Sequence, residues 1–178
     1  MYTTQQGTDL LGRIDRANDG LKAALAGLSE SQSIFKPSSG AWSVAGIVEH
    51  LAIVQDRVIG RIDQLLVSVP DAAPSGAKIT DEILTEKVAD RTAKFPAPEV
   101  AHPTGQSLSN SLQRLAAGRK RVGELVAAAP QDFQHRSMPH PVFGPLDCHQ
   151  WLVALAAHCV RHTKQIVETK GFASFPAH

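Results

Sequence analysis

Residues 147–171 read DCHQWLVALAAHCVRHTKQIVETKG, a stretch with helix signals at both ends. Asp147 and Gln150 lie three residues apart, as in a capping box at a helix start. Gly171 suits the position just beyond a helix C-terminus. The segment therefore predicts one long helix from Asp147 to about Lys170.

Three earlier segments also carry the helical period, with hydrophobic residues at steps of three and four. The first covers residues 8–28. The second begins at Ser43, a favourable N-cap, and stops before Pro70. The third covers residues 108–128 and is followed by Pro130. Together with the last helix, they predict an all-α chain of four long helices.

The segments between these helices differ in length and composition. Residues 29–42 predict a loop, because proline, serine and glycine favour turns. Residues 69–105 form a long connection that a short helix interrupts at residues 81–87, with Thr80 as its cap. Residues 139–145 are rich in proline and predict an irregular segment. No strand-like alternation of useful length is found.

The lengths of the connections predict the topology. The first and last connections can join antiparallel neighbours, whereas the middle one, about 36 residues long, far exceeds an ordinary loop. It could cross the whole bundle, so that helices two and three run parallel, as in bundles with a long crossover. We therefore expect one domain over residues 1–178, a four-helix bundle in up-down-down-up order.

The overall composition excludes several classes of protein. The chain has 178 residues and a net charge of +1, with no long run of Lys or Arg, which argues against nucleic-acid binding. No apolar run approaches the roughly 20 residues that span a membrane, and residues 1–13 lack a secretory pattern. Cys148 and Cys159 would lie about 16 Å apart along one helix, too far for a disulfide. We therefore expect a cytoplasmic protein that does not associate with membranes.

His158 and His162 are four residues apart in the last predicted helix. This spacing projects both imidazoles from one helix face, one turn apart, where they can share a metal ion. The pair lies on the stripe of Trp151 and Leu155, so we expect it to face inward. The alternative is a pair of half-buried polar residues without a ligand.

His50 lies at the margin of the apolar stripe of the second predicted helix. An inward imidazole needs a partner, because an unpaired buried polar group costs about 1–3 kcal/mol. One metal ion would satisfy His50, His158 and His162 together, although a lone core histidine can instead bond to a backbone carbonyl. Three histidine ligands leave coordination positions open, as in catalytic zinc sites. Because the ligands are neutral, the ion's charge favours an anion in those positions.

The remaining histidines and Cys159 are weaker candidates. His149 falls about half a turn out of phase with His158, so we expect it to face solvent. His140 could line a pocket mouth, but we expect it to be exposed. Cys159 is expected to be a small, inert hydrophobe, not a ligand or nucleophile. The histidines in irregular segments are His102, His135 and His178.

Two segments resemble a known family. Residues 42–51, WSVAGIVEHL, are similar to the tryptophan–serine helix start and first metal-binding histidine of DinB/YfiT-like proteins. Residues 155–166, LAAHCVRHTKQI, resemble the last helix of that family, in which H-x-x-x-H precedes Gln-Ile. The FGPL at residues 143–146 also fits, so the resemblance spans nearly the whole chain.

The resemblance implies a four-helix bundle in which His50, His158 and His162 hold a divalent metal ion. Zinc and nickel are the first candidates and iron is a further one, since imidazole suits all three. The resemblance also implies a homodimer, a small-molecule substrate, and an activity like that of thiol-dependent transferases and isomerases. The low-molecular-weight thiols used by such relatives include bacillithiol, mycothiol and glutathione.

Three functions are compatible with such a site. In a thiol-dependent transferase, the metal would hold the thiol as thiolate, and Gln165 and Arg161 could assist. The simpler role for Gln165 is a helix-end hydrogen bond, and the simpler role for Arg161 is a surface charge. A metal-dependent hydrolase would activate water and needs a base, for which Glu49 and Asp56 are closest in sequence but poorly placed. In the third function, which is not enzymatic, the metal only stabilises the bundle or binds a small ligand.

Overall fold

Six α-helices and one β-hairpin are found in residues 2–71, 76–92 and 94–177, the part of the chain that the computed structural model describes. The four long helices match the four predicted segments. The helices are α1 (Thr4–Leu25), α2 (Glu30–Ile34), α3 (Val44–Leu66), α4 (Asp81–Ala89), α5 (Leu108–Ala127) and α6 (Cys148–Lys170). The His178 considered above lies outside the described residues.

Side-chain caps set where the long helices begin. Thr3 and Gln6 form a capping box, so α1 begins a turn earlier than predicted. Ser43 accepts a hydrogen bond from the Gly46 N–H and caps α3, as predicted. The predicted capping box at the start of α6 is also present. Local sequence signals therefore account for most helix boundaries.

Two predictions for the connections are wrong. Ser29 and Gln32 form a capping box that starts the short helix α2 inside the predicted loop. The proline-rich segment is an antiparallel hairpin of β1 (Ser137–His140) and β2 (Gly144–Asp147), where no strand was expected. Both strands are edge strands, in which proline is tolerated. They are also too short to show a clear alternation in the sequence.

Ion pairs along α3 and α5 show that these helices run parallel. Asp56 on α3 binds Arg114 on α5 at 2.6 Å. Seven residues later on both helices, about two turns, Asp63 binds Arg121 at 2.5 Å. Since both pairs advance together along the chain, the long connection crosses the bundle, as its length predicted.

Contacts of α1 complete the topology. Asp15 binds Arg119 at 2.7 Å, and the Tyr2 N–H donates to the Gln131 carbonyl beyond the end of α5, so α1 is antiparallel to α5. Near the other end of α1, the Lys170 ammonium donates to the Ala24 carbonyl.

The start of α1 correspondingly meets the start of α6, where the Tyr2 hydroxyl contacts His149. Helices α1 and α6 are therefore parallel to each other and antiparallel to α3 and α5. The predicted up-down-down-up order is confirmed.

The core is built from apolar residues of all four long helices, among them Leu10, Ile47, Val122 and Leu152, each almost fully buried. Helix α3 packs against both α5 and α6, and this contact with α6 brings the candidate histidines together. None of the described helices is long and apolar enough to cross a membrane.

Candidate metal centre

His50 on α3 and His158 and His162 on α6 converge at the contact between these antiparallel helices. The Nε2 atom of His158 lies 3.3 Å from Nε2 of His50 and 3.0 Å from Nε2 of His162. All three donor atoms lie within 4.8 Å of one another, and the group could hold a metal ion. His50 and His162 are buried and His158 is partly buried.

The opposite ring nitrogens of two of these histidines are held by fixed partners. His50 Nδ1 donates to the backbone carbonyl of Ala101 at 2.7 Å. His162 Nδ1 lies 2.8 Å from Oε1 of Gln165, which also accepts from Arg91. A carbonyl oxygen can only accept, so each Nδ1 carries the proton and each Nε2 presents a lone pair.

The three converging Nε2 atoms have too few protons to form a hydrogen bond at every lone pair. His50 Nε2 and His162 Nε2 are both acceptors and both face His158 Nε2. His158 Nε2 carries at most one proton, so it satisfies at most one of the two lone pairs. A cation shared by all three nitrogens removes this deficit. Because histidine commonly binds metals as neutral imidazole, the donor chemistry fits a divalent ion.

The distances also fit a shared ion. Nitrogen atoms about 2.0–2.1 Å from one tetrahedral zinc are separated by roughly 3.3 Å. The separations of 3.3 and 3.0 Å from His158 Nε2 to the Nε2 atoms of His50 and His162 are close to that value. The third pair of ligand nitrogens, on His50 and His162, lies within 4.8 Å, so a modest movement of these side chains would close the three nitrogens around an ion.

The surroundings keep the three imidazoles neutral. Burial lowers the pKa of His162 to about 3, with His50 and the cations Arg161 and Arg91 acting in the same direction against the Gln165 hydrogen bond. Burial likewise lowers the pKa of His50, and it lowers that of His158 well below its usual value. Protons therefore compete weakly for these nitrogens at neutral pH, as a metal site requires.

Glu49, adjacent to His50 on α3, does not face the cluster. Its buried carboxylate accepts hydrogen bonds from the Thr104 N–H and hydroxyl and from the Gly105 and Gln106 N–H groups. Burial opposes ionisation, but these donors outweigh it and lower the pKa of Glu49. The bonds anchor the end of the crossover segment to α3, next to the Ala101 carbonyl that holds His50.

A second chain of contacts holds His162 from the other side. Arg91, just after α4, donates to Gln165 Oε1 at 3.4 Å and binds the Glu168 carboxylate through two nitrogens. The sequence suggested a helix-end hydrogen bond as the simpler role for Gln165. This interpretation is wrong, because the Gln165 side chain bonds to His162. Gln165 orients an imidazole of the cluster, as partners of metal-binding histidines do. No sequence signal pointed to Arg91 or to Ala101.

Arg161 is partly buried, with its guanidinium 5.9 Å from the centre of the Phe95 ring, and is more than a surface charge. Its charge and that of Arg91 both act on His162. The two acids nearest in sequence to His50 are engaged elsewhere, Glu49 in the loop contacts above and Asp56 with Arg114. The charges that act on His162 are therefore those of two guanidinium groups, of which Arg91 is paired with Glu168.

Aromatic side chains pack around the cluster. The Trp42 ring lies 4.8 Å from that of His50 and also contacts the exposed His102. His140 is partly buried, 5.0 Å from the Trp151 ring, so its expected exposure is wrong. The charge of His140 also lowers the pKa of His158. His140 therefore lies near the cluster, in keeping with the alternative that it lines a pocket mouth.

The expected solvent exposure of His149 is also wrong. The ring is buried, with Nε2 2.9 Å from Asp81 Oδ2 and Nδ1 3.1 Å from the Tyr2 hydroxyl. Helix α4 covers a face of α6 that the period alone assigned to solvent. Cys159 is a buried free thiol whose pKa burial raises to about 11, in agreement with an inert role.

Fold and site together define a four-helix-bundle protein with a three-histidine cluster that could hold a metal ion. The profile of the DinB superfamily matches residues 13–166. The chain belongs to that superfamily.

A curated protein is similar over most of the chain. The chain is 28% identical over 148 residues to the uncharacterized protein YuaE of Bacillus subtilis (strain 168), an alignment that covers 82% of this chain and 88% of YuaE.

Two solved structures share the fold. One is YfiT from Bacillus subtilis, described as a probable metal-dependent hydrolase with an unusual four-helix bundle topology. It is 19% identical with a TM-score of 0.65, over 96% of this chain and 89% of YfiT. The other is TT2238, a four-helix bundle protein, 23% identical with a TM-score of 0.57, over 91% of this chain and 98% of TT2238.

Proposed function

We propose that this protein is a metal-dependent enzyme in which His50, His158 and His162 bind one divalent ion and position a nucleophile beside it. The observation that carries the proposal is the convergence of three Nε2 atoms within 4.8 Å, with too few protons to satisfy their lone pairs. Zinc and nickel are the ions to test first, followed by iron, because all three accept imidazole ligands.

The chain's own residues would have three tasks at such a site. The three imidazoles hold the ion, and Ala101 and Gln165 keep two of them in the tautomer that presents Nε2. A bound divalent ion lowers the pKa of a thiol or water in its open positions and so supplies a nucleophile at neutral pH. Arg91 and Arg161 add positive charge that favours an anionic reactant.

The first candidate activity is transfer of a low-molecular-weight thiol to an electrophile. The thiol loses its proton to solvent, its sulfur forms a bond to the electrophilic carbon, and the leaving group departs with the bonding electron pair. This reaction needs no carboxylate base, and it suits a site whose nearest acids in sequence, Glu49 and Asp56, are bound elsewhere. Thiols and their conjugates would be the small-molecule substrates.

The second candidate is hydrolysis, which the description of YfiT favours. Water would replace the thiol as the nucleophile, and a base outside Glu49 and Asp56 would have to accept its proton. The two activities differ in one requirement that can be measured: hydrolysis needs the metal but no thiol.

The test is thiol consumption by protein loaded with zinc or nickel. Each of glutathione, mycothiol and bacillithiol is incubated with monochlorobimane, from which the thiolate displaces chloride to give a fluorescent conjugate. We expect conjugation by the wild type with at least one thiol, none above background by the triple His50→Ala, His158→Ala, His162→Ala variant, and full activity in His102→Ala. Thiol-independent cleavage of an activated ester would instead favour the hydrolase, and equal rates in the wild type and triple variant would end both candidates.

We also propose a cytoplasmic homodimer, as the family resemblance implies. Sedimentation equilibrium of the metal-loaded protein tests the dimer, and a mass of 19.1 kDa at micromolar concentration would contradict it.

A further inference from the structure

The β-hairpin carries a histidine whose own hydrogen bonds leave one ring nitrogen unused. His140 is the last residue of β1 and pairs with Gly144 across the turn. Its Nδ1 accepts from the N–H groups of Val142 at 3.1 Å and Phe143 at 3.3 Å. Since a backbone N–H can only donate, the ring is neutral and its proton is on Nε2. Among residues 2–71, 76–92 and 94–177, Nε2 has no hydrogen-bond partner, so this donor is available to a ligand.

Two aromatic side chains pack against His140. The centres of the Phe143 and Trp151 rings lie 4.9 and 5.0 Å from that of His140. The Trp151 indole N–H donates to the Met138 carbonyl at 3.1 Å and ties the hairpin to α6. None of the three rings is fully buried. We call His140, Phe143 and Trp151 the aromatic patch, in which the indole N–H is used and the His140 Nε2–H is free.

The aromatic patch lies beside the histidine cluster. Trp151 precedes His158 by seven residues, which is about two turns or 10.5 Å along α6, so the two side chains project from the same helix face. The rings of His140 and His158 are close enough that a charge on His140 lowers the pKa of His158. The patch is therefore next to the metal centre along α6, where a second reactant could be held.

The chemistry of the patch specifies what it can bind. Aromatic rings favour other flat rings through stacked and edge-to-face contacts. The free Nε2–H needs an acceptor such as a carbonyl oxygen. Burial lowers the pKa of His140, so the ring stays neutral at neutral pH and does not attract an anion. These properties favour a planar, uncharged compound with a carbonyl oxygen.

We propose that the aromatic patch binds the electrophile of the transfer reaction, a planar, uncharged compound whose carbonyl oxygen accepts a hydrogen bond from His140 Nε2–H. The role as electrophile rests on the proposed function, whereas binding at the patch does not. As the carbon–sulfur bond forms and the leaving group departs with its electron pair, the hydrogen bond holds the electrophile in place. No proton passes to or from His140, which is a binding residue for the second reactant.

The test is a titration of the protein, without added metal, with syn-(methyl,methyl)bimane, followed by proton–nitrogen correlation spectra. This planar compound has carbonyl oxygens but no leaving group, so it binds without reacting. We expect saturable shifts of the Trp151 indole N–H and of the Val142 and Phe143 amides. The Trp42 indole N–H, at the His50 side of the cluster, should shift less.

Variants of His140 separate the hydrogen bond from the packing. His140→Phe keeps a ring beside Trp151 but removes the donor, so it should weaken bimane binding about three- to tenfold, the range of one neutral hydrogen bond. His140→Gln restores an N–H donor and should recover part of the affinity. His135→Phe, which changes a histidine before the hairpin, is the matched control and should bind like the wild type.

Kinetics with monochlorobimane give a second readout. His140→Phe should raise the KM for monochlorobimane by the same factor and leave the KM for the thiol unchanged, a split that a general loss of structure would not give. An unchanged KM for monochlorobimane, with active wild type, would overturn the proposal and leave the proposed function standing.

The binding outcomes are equally separable from the metal centre. Equal bimane affinity in His140→Phe and the wild type, no saturable shift in the wild type, or shifts confined to Trp42 would overturn the proposal. Bimane binding at the patch without conjugation of any thiol would support the patch as a ligand site and contradict the transferase activity. If His140→Phe fails to fold, the location of the shifts in the wild type still decides.

Discussion

Nδ1 of His162 lies 2.8 Å from Oε1 of Gln165, three residues further along α6. This bond fixes which nitrogen of His162 faces the cluster, and Arg91 holds the same oxygen from the adjacent crossover segment. The segment between α3 and α5 therefore supports a histidine of the cluster on α6, although it contributes none of the three imidazoles.

Replacing Gln165 by Ala should weaken metal binding about 10- to 100-fold, as loss of such a partner typically does. His162 would lose the acceptor that fixes its tautomer, while the three imidazoles would remain. Competition with a zinc-binding dye measures the affinity. Gln113→Ala, an exposed glutamine on α5, is the matched control and should bind zinc like the wild type. Unchanged affinity in Gln165→Ala would show that the hydrogen bond does not support the site.

Arg161→Ala should raise the KM for an anionic thiol several-fold and leave kcat nearly unchanged, since it removes an attractive charge but no ligand. The measurement is a series of initial rates at increasing thiol concentration, with melting temperature as a check on folding. Lys120→Ala removes an exposed charge on α5 and should have no effect. A fall in kcat at unchanged KM would contradict a role in attracting the thiol.

Glu49→Gln should reduce stability at pH 7 by about 1–3 kcal/mol, because it removes a buried carboxylate that accepts four hydrogen bonds. The pKa of Glu49 is lowered in the folded protein, so its contribution is fully present above the ordinary carboxyl pKa of 4.5 and disappears as the pH falls through the folded pKa. The difference between wild type and variant should therefore shrink toward pH 3.

Urea denaturation at pH 7 and pH 3 measures this difference. Glu86→Gln, an exposed glutamate on α4, serves as the control and should match the wild type at both pH values. A gap between wild type and Glu49→Gln that grows in acid would mean that the sign of the pKa shift is wrong.

Removing the metal should lower the melting temperature of the wild type by several degrees, because an ion that binds only the folded state stabilises it. Scanning calorimetry of zinc-loaded protein before and after chelation tests this. His158→Ala should show no such change, and His102→Ala should behave like the wild type. A large stability loss without turnover of any thiol or ester would favour a metal that only staples the bundle.

The four long helices and the pairing of His158 with His162 on one helix face were predictable because their signals are local. Capping residues such as Ser43 and the four-residue spacing of His158 and His162 are visible in a short window of sequence. The crossover followed from the length of one connection. Each of these features depends on neighbours along the chain or on chain length.

The features that could not be predicted depend on contacts between distant segments. His149 is buried because Asp81, 68 residues away, packs over it from α4. The Arg91 contact with Gln165 spans 74 residues, and the Ala101 carbonyl reaches His50 across 51 residues. A helical period carries no information on such partners, so the sequence indicated the three candidate histidines but not the groups that orient them.

The most direct test of the account is X-ray absorption of the zinc-loaded protein, together with its metal content. We expect about one ion per chain, with three imidazole nitrogens near 2.0–2.1 Å, and less than one-tenth of that content in His158→Ala under the same conditions. Zinc far below one ion per chain in the wild type, or a spectrum fitted by fewer than three imidazoles, would contradict a shared centre at His50, His158 and His162.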